Sequence, residues 1–205
     1  MRTHTEESQK NITPEIALQY LKEGNTRFVN NLKVHRNLLE QVNETSSGQF
    51  PFATILSCID SRVSAELIFD QGLGDIFSIR VAGNIVNEDI LGSMEFACKV
   101  AGSKLIVVLG HTRCGAVNGA VGKVEMGNLT NLLKKIGPAI ESVQGNSAIK
   151  DSGDEFLDAV VTQNVSNAAA EIMAKSEILS QMVLDGEIAI TQGVYDVDTG
   201  KVDFY

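Results

Sequence analysis

The run Phe52-Ala-Thr-Ile-Leu-Ser57 leads straight into Cys58-Ile-Asp60-Ser-Arg62, and a second run, Leu105-Ile-Val-Val-Leu109, leads into Gly110-His111-Thr-Arg-Cys114. Each is a short apolar stretch ended by reactive side chains, the pattern of a buried strand that stops at a polar rim. A third apolar run, Ile76 to Val81, reads as another buried strand. The stretches between them, Ala65 to Gln71 and Glu88 to Ala101, are long enough for crossover helices. This alternation predicts a parallel sheet with helices on both faces. The fold class is therefore α/β, a mainly parallel central sheet flanked by helices.

Toward the C-terminus, Gly115 to Met126 and Leu129 to Val143 read as helices, with Gly127-Asn128 between them and a bend at Gly137-Pro138. The polar stretch Gln144 to Asp154 reads as a loop. From Leu157 to Val183 apolar residues keep a helical period, with a break near Lys175 and a stop at Asp185-Gly186. A strand from Ile188 to Tyr195 follows, and the turn Asp198-Thr-Gly200 folds the last residues back as a C-terminal antiparallel edge strand.

Toward the N-terminus, Thr13-Pro14-Glu15 reads as an N-cap with proline at the first helical position. The helix it opens carries Ile16, Tyr20 and Phe28 at multiples of four, a face that needs burial. The first eleven residues are polar and expected to fray. Residues 1–48 thus form an N-terminal helical arm on a single domain spanning 1–205. The arm either folds back on the core or packs on another subunit.

The chain has 205 residues, 43% of them hydrophobic and 21% charged, which suits one globular domain able to bury a core. Seventeen Lys and Arg against 26 Asp and Glu give a net charge of −9, which would repel a nucleic-acid backbone. The longest uncharged apolar stretch, Leu105 to Gly110, is far below the roughly 20 residues of a membrane span, and the start MRTHTEESQK lacks an apolar signal core. A cytoplasmic protein that binds neither nucleic acid nor membrane is expected.

In open α/β sheets, ligands gather at the carboxyl ends of parallel strands, where Cys58, His111 and Cys114 would meet. Two thiolates and an imidazole suit zinc, whose catalytic sites use three protein ligands and leave a fourth position open. The plainer reading makes both cysteines small buried hydrophobes and His111 a hydrogen-bonded core histidine. That accounts for the cysteines but not for a histidine beside them. Asp60 and Arg62 lie two apart and would share a face of extended backbone, the arginine gripping the carboxylate. The aspartate would then orient a zinc-bound water, or, released by the arginine, swing in as a fourth ligand and shut the site. Of the remaining candidates, His4 lies in the tail, His35 in the arm, and Cys98 reads as a buried thiol.

At these residues the sequence resembles the beta class of carbonic anhydrases, whose signatures C-x-D-x-R-[VIL] and H-[ST]-x-C-G stand here as CIDSRV and GHTRCGAV. The resemblance continues through SGQFPFATILSCIDSRVSAELIFDQGLGDIFSIRVAGN, LGSMEFA and GVYDVDTGKV. It implies one Zn2+ per chain on Cys58, His111 and Cys114, a gating pair in Asp60 and Arg62, and interconversion of carbon dioxide and bicarbonate by attack of zinc-bound hydroxide. It also implies that Gln49 bonds substrate across a dimer interface, and that Phe77, Ala82 and Phe96 line the carbon dioxide pocket. Ala82 replaces a common valine, Phe96 a common tyrosine, and Ile59 the usual serine. Ile55 stands where members with a second, inhibitory bicarbonate site carry tryptophan, which implies the form that keeps water on zinc near neutral pH. The resemblance further implies a homodimer or homotetramer whose N-terminal helices embrace the partner, with active sites at the dimer interface. Two other readings are a non-catalytic or redox-sensing zinc protein in which Asp60 closes the site, and an enzyme acting on another small cumulated molecule such as carbon disulfide.

Overall fold

A computed structural model describes residues 3–145 and 152–205. In chain order the elements are α1 (Glu6–Lys10), α2 (Pro14–Val29), α3 (Leu38–Thr45), β1 (Ala53–Ser57), α4 (Ala65–Ile68), β2 (Ile76–Arg80), α5 (Glu88–Glu95) and β3 (Leu105–His111). Then come α6 (Gly115–Val121), α7 (Gly127–Leu133), α8 (Gly137–Gln144), α9 (Asp154–Lys175), α10 (Glu177–Leu184), β4 (Ala189–Tyr195) and β5 (Val202–Phe204). The strands form one sheet in the order β2-β1-β3-β4-β5, parallel except for β5, which runs antiparallel to β4.

The order of the strands decides where a site can form. From β1 the chain crosses to β2 on one side, and from β3 it crosses to β4 on the other. The carboxyl ends of the adjacent strands β1 and β3 therefore flank a topological switch point, where the connections diverge and leave a crevice. Register pairs Ser57 with Leu109, so Cys58 and the Gly110-His111 end of β3 emerge side by side.

Both faces of the sheet are covered, as the unbroken apolar strands require. Side chains alternate: Ile55, Leu105, Val107 and Leu109 pack on the arm side with Leu21, Phe52 and Phe69. Leu56, Ile106 and Val108 pack on the other with Met94, Ile172 and Leu179. A third apolar cluster, including Ile136, Phe156 and Val160, contains Cys58 and Cys114 themselves.

Several expectations are corrected. The crossover between β1 and β2 is a four-residue helix, not Ala65 to Gln71, because Asp70 adopts φ 46° and ends it. β2 is a half-buried edge strand and not a buried one. The expected helix over Glu88 to Ala101 changes at Phe96 to a π-helical turn, Phe96–Val100. The helix from Gly115 stops at Val121, and the next stretch is α7 and α8 joined through a 3-10 turn, Lys134–Ile136. The break near Lys175 is present, since Ser176 caps α10 through the Leu179 N–H. Of the expected loop Gln144 to Asp154, residues 146–151 lie outside the described residues.

The arm folds back on the domain. The face of α2 turned to the core carries Ala17, Leu21, Gly24 and Asn25, with Phe28 partly buried, whereas Ile16 and Tyr20 stay exposed. The fourfold spacing of large residues misled because small ones make the contact. A Cβ on Gly24 would stand 1.8 Å from the Phe69 carbonyl oxygen, so only glycine lets the two backbones come this close. The tail is not frayed over its described length. Thr5 and Ser8 form a capping box on α1, and the buried Gln9 amide donates to the carbonyls of Pro51 (2.7 Å) and Ala101 (2.8 Å). His4 stacks on Tyr20 and meets Phe52 edge-on.

Candidate metal centre

Cys58 follows β1, His111 ends β3, and Cys114 lies just before α6. All three are buried, and one ligand atom of each lies within 4.8 Å of the other two. Tetrahedral zinc with bonds of about 2.3 Å to sulfur and about 2.0 Å to nitrogen holds such donors roughly 3.5–3.8 Å apart, so the cluster has the right size. The His111 ring is oriented to suit that chemistry. Its Nδ1 lies 2.9 Å from the Thr112 carbonyl, which can only accept, so Nδ1 carries the hydrogen and Nε2 presents a lone pair. That Nε2 is buried with no hydrogen-bond partner, an orphan atom that a metal would satisfy. The donor set fits zinc.

The contact between the two cysteines pushes their acidities in opposite directions. A hydrogen bond from Cys114 pulls the Cys58 thiol down to about 4, against burial and helped by His111 and the N–H groups of Gly83 and Asp60. The same contact, with burial and the charge on Cys58, pushes Cys114 above the ordinary thiol range. A cation held by these residues would take both sulfurs as thiolates, with the Cys114 proton passing to solvent.

Asp60 and Arg62 form the expected pair by a different route. The backbone is not extended but turns, the Val63 N–H reaching the Asp60 carbonyl and the Arg62 N–H the Asp60 carboxylate. The turn brings the side chains together in a two-point grip, Nε to Oδ1 at 2.9 Å and Nη2 to Oδ2 at 2.8 Å. Arg62 thereby holds the Asp60 carboxyl well below the usual carboxylate range, against the opposing effect of burial. It also donates weakly to the Arg113 carbonyl at 3.4 Å, while Arg113 pairs with Asp198 of the C-terminal hairpin at 2.8 Å.

Sequence reading missed the residues that hold these loops. Arg80, at the end of β2, donates to the carbonyls of Cys58 (3.1 Å) and Asp60 (2.6 Å). An arginine closing an apolar strand run was the available signal. Thr112, between the two β3-side ligands, is bound by its backbone to Tyr195 and by its hydroxyl to Val197 and Asp196. Phe77 and Phe96 meet with ring centroids 6.4 Å apart and line a groove of about 700 Å3 with Ile79, Gly92 and Ser93. Ala82 opens the adjacent 3-10 turn Ala82–Asn84 and is not among the residues lining that groove, and Gln49 is exposed ahead of β1.

Comparison with known proteins matches this arrangement to one family. The sequence model of the carbonic anhydrases covers residues 53–202, and the solved beta-carbonic anhydrase CcaA superposes with a TM-score of 0.73. The chain belongs to the beta class of the carbonic anhydrases. CcaA is 27% identical, over 92% of this chain and 94% of its own. Carbonic anhydrase 2 of Mycobacterium tuberculosis is 38% identical over 93% of this chain and 92% of its own length. The carbonic anhydrase of Mycolicibacterium smegmatis is 36% identical over 94% of each. Within the beta-carbonic anhydrase family, then, this chain has its Asp60 drawn to Arg62, and neither of the two other readings is favoured.

Proposed function

We infer that this chain catalyses the zinc-dependent, reversible hydration of carbon dioxide to bicarbonate and a proton. The observation that carries this is the meeting of Cys58, His111 and Cys114 at the β1/β3 switch point with an ionised Asp60 beside them. Cys58, His111 and Cys114 would hold one zinc ion per chain. Bound there, zinc supplies Lewis acidity, lowering the pKa of a coordinated water from about 15.7 toward about 7.

The chain's own residues do the rest. Asp60, fixed by Arg62, accepts a hydrogen bond from the attacking water at Oδ2, the oxygen nearer His111, and so orients it. Because Arg62 keeps the carboxylate ionised, Asp60 does not act as an acid at neutral pH. Thr112 fixes the His111 tautomer through its carbonyl. Phe77 and Phe96 offer an apolar surface to carbon dioxide, which has no net dipole, and Ala82, on the neighbouring 3-10 turn, is proposed to border the substrate's path.

We place the site at a dimer interface, with Gln49 reaching substrate from the partner and the dimer pairing further into a tetramer. The half-buried edge strand β2 and the exposed Ile59, Leu67, Phe96 and Val100 support such an interface, as do Ile16 and Tyr20 on the arm. No helix among the described residues is long and apolar enough to cross a membrane. Three buried, free thiols suit a reducing compartment, and we assign the protein to the cytoplasm.

The test is stopped-flow carbon dioxide hydration from about pH 6.5 to 9 on protein of known zinc content, with Cys114→Ser as control. Rapid hydration at neutral pH, lost in the control, is expected. Zinc at one per chain with no hydration at any pH would overturn the assignment.

A further inference from the structure

Asn164 is a polar side chain on the wrong side of its helix. It lies on α9 among the buried Val160, Val161, Val165 and Ala168, and is itself only 5% exposed. An amide is costly there unless it is hydrogen-bonded. Its Nδ2 donates to the Gly83 carbonyl at 2.8 Å, 81 residues away in sequence. Gly83 in turn donates its own N–H to the sulfur of Cys58 at 3.3 Å. Gly83 is left-handed, φ 66°, and a Cβ there would meet Ile136 Cδ1 at 2.8 Å. Its two flanking peptide groups are thus aimed by the fold, one at a helix side chain and one at a metal ligand.

We infer that Asn164 is a positioning residue of the metal centre, acting on Cys58 through the Gly83 backbone. The inference rests on the reading of Cys58, His111 and Cys114 as zinc ligands. By holding the Gly83 carbonyl, Asn164 fixes the turn whose N–H reaches the sulfur. A hydrogen bond to a thiolate draws charge off the sulfur and lessens its donation to the metal. In a centre with two thiolates, that contact keeps the cation more electron-demanding than the ligand set alone would leave it. Nothing in the sequence motif of the ligands indicates a partner on α9.

The test is Asn164→Leu, close in shape and without a donor, together with Asn164→Ser, which removes bulk but keeps a short hydroxyl donor. Zinc affinity is measured by competition with a chromophoric chelator, and the sulfur-to-metal charge-transfer band is recorded on cobalt(II)-substituted protein. In Asn164→Leu zinc binding is expected to weaken roughly 10-fold, the low end for loss of an outer partner of a ligand, because the loosened Gly83 turn no longer pre-orders Cys58 and this outweighs the stronger donation of the freed sulfur. The charge-transfer band should move to lower energy, because an uncompensated thiolate gives up its electron more easily. Asn164→Ser should show smaller changes in the same directions. Folded Asn164→Leu protein with wild-type zinc affinity and an unmoved band overturns the inference, reducing Asn164 to a packing residue. Wild-type protein that takes up neither zinc nor cobalt at one per chain overturns the metal centre itself, a result distinct from insensitivity to Asn164.

Discussion

The Oδ2 oxygen of Asp60 lies 4.0 Å from Nε2 of His111, while Arg62 Nη2 holds the same oxygen at 2.8 Å. The carboxylate is therefore poised between two partners, the guanidinium and the metal position that Nε2 faces. Arg62 is half-exposed and Asp60 mostly buried, so the grip can loosen from the solvent side while the aspartate stays in place.

Arg62→Ala should tip that balance. Freed from its partner, Asp60 turns toward the metal position as a fourth ligand, and carbon dioxide hydration at pH 7.5 should fall by about 100-fold with zinc content unchanged. X-ray absorption at the zinc edge should show a carboxylate oxygen in the coordination shell. The double variant Arg62→Ala with Asp60→Asn should lose that oxygen. Parent-level hydration in Arg62→Ala would show that Asp60 is held open by something other than Arg62.

The three cysteines should differ sharply in reactivity. Burial pushes the Cys98 thiol up to about 12, only partly offset by hydrogen bonds from Ser103 and Thr54. At pH 8 about one Cys98 in ten thousand is then a thiolate, and the thiolate is the nucleophile. Iodoacetamide should leave Cys98 unmodified in native protein, while removal of zinc by a chelator should expose Cys58 to alkylation first, given its depressed pKa. Peptide mass spectrometry checks the order, and early labelling of Cys98 would refute it.

Acid should unfold the arm junction through Asp70. This buried carboxylate accepts from Arg27 Nε and Arg36 Nη1, each at 2.6 Å, and from the Val34 N–H. Burial alone would raise its pKa, but these donors outweigh it and the net shift is downward. A carboxyl depressed on folding stabilises fully above its unfolded value, and that contribution drains away as pH falls below about 4 toward the folded value. Asp70→Asn should cost about 3 kcal/mol at pH 7, because it leaves Arg36 buried without its counter-charge. The cost should shrink as pH is lowered below about 4, which urea denaturation at pH 7 and at about pH 2.5 measures. An equal cost at both would contradict the ionised pairing.

Gly24→Ala should dislodge α2 from the domain. With 1.8 Å between a new Cβ and the Phe69 carbonyl oxygen, the backbones must separate, at a cost of about 2–3 kcal/mol. Limited proteolysis should then cut within the arm before the sheet. Gly92→Ala, where a Cβ meets nothing within 4 Å, is the matched control and should keep the wild-type resistance to proteolysis.

The sequence was most legible where one physical demand dominated. Strand runs between polar termini had to be buried, so Leu105 to Leu109 could only be an inner strand, and the α/β class followed from the helices between such runs. Metal ligands were equally plain, since Cys58, His111 and Cys114 combine soft donors with strand ends. Faces set by small residues were not legible: α2 docks through Ala17 and Gly24, and its large Ile16 and Tyr20 drew attention to the exposed side. The tail was misjudged for a related reason, because a single buried glutamine, Gln9, ties it to two distant carbonyls.

What the sequence determined by itself was the inventory of this protein: an α/β sheet, a donor set suited to zinc, and an aspartate and arginine close enough in sequence to pair. Only the tertiary structure decided how those parts bear on one another. It made the Asp60–Arg62 grip a turn and not an extended strand, brought Arg80 onto the carbonyls of Cys58 and Asp60, and linked Asn164 to Cys58 through Gly83. The Arg80 and Asn164 contacts join residues 20 to 81 positions apart through hydrogen bonds that end on backbone groups. Backbone groups are the same at every position, so no residue type announces them, and they become partners only when the chain has folded.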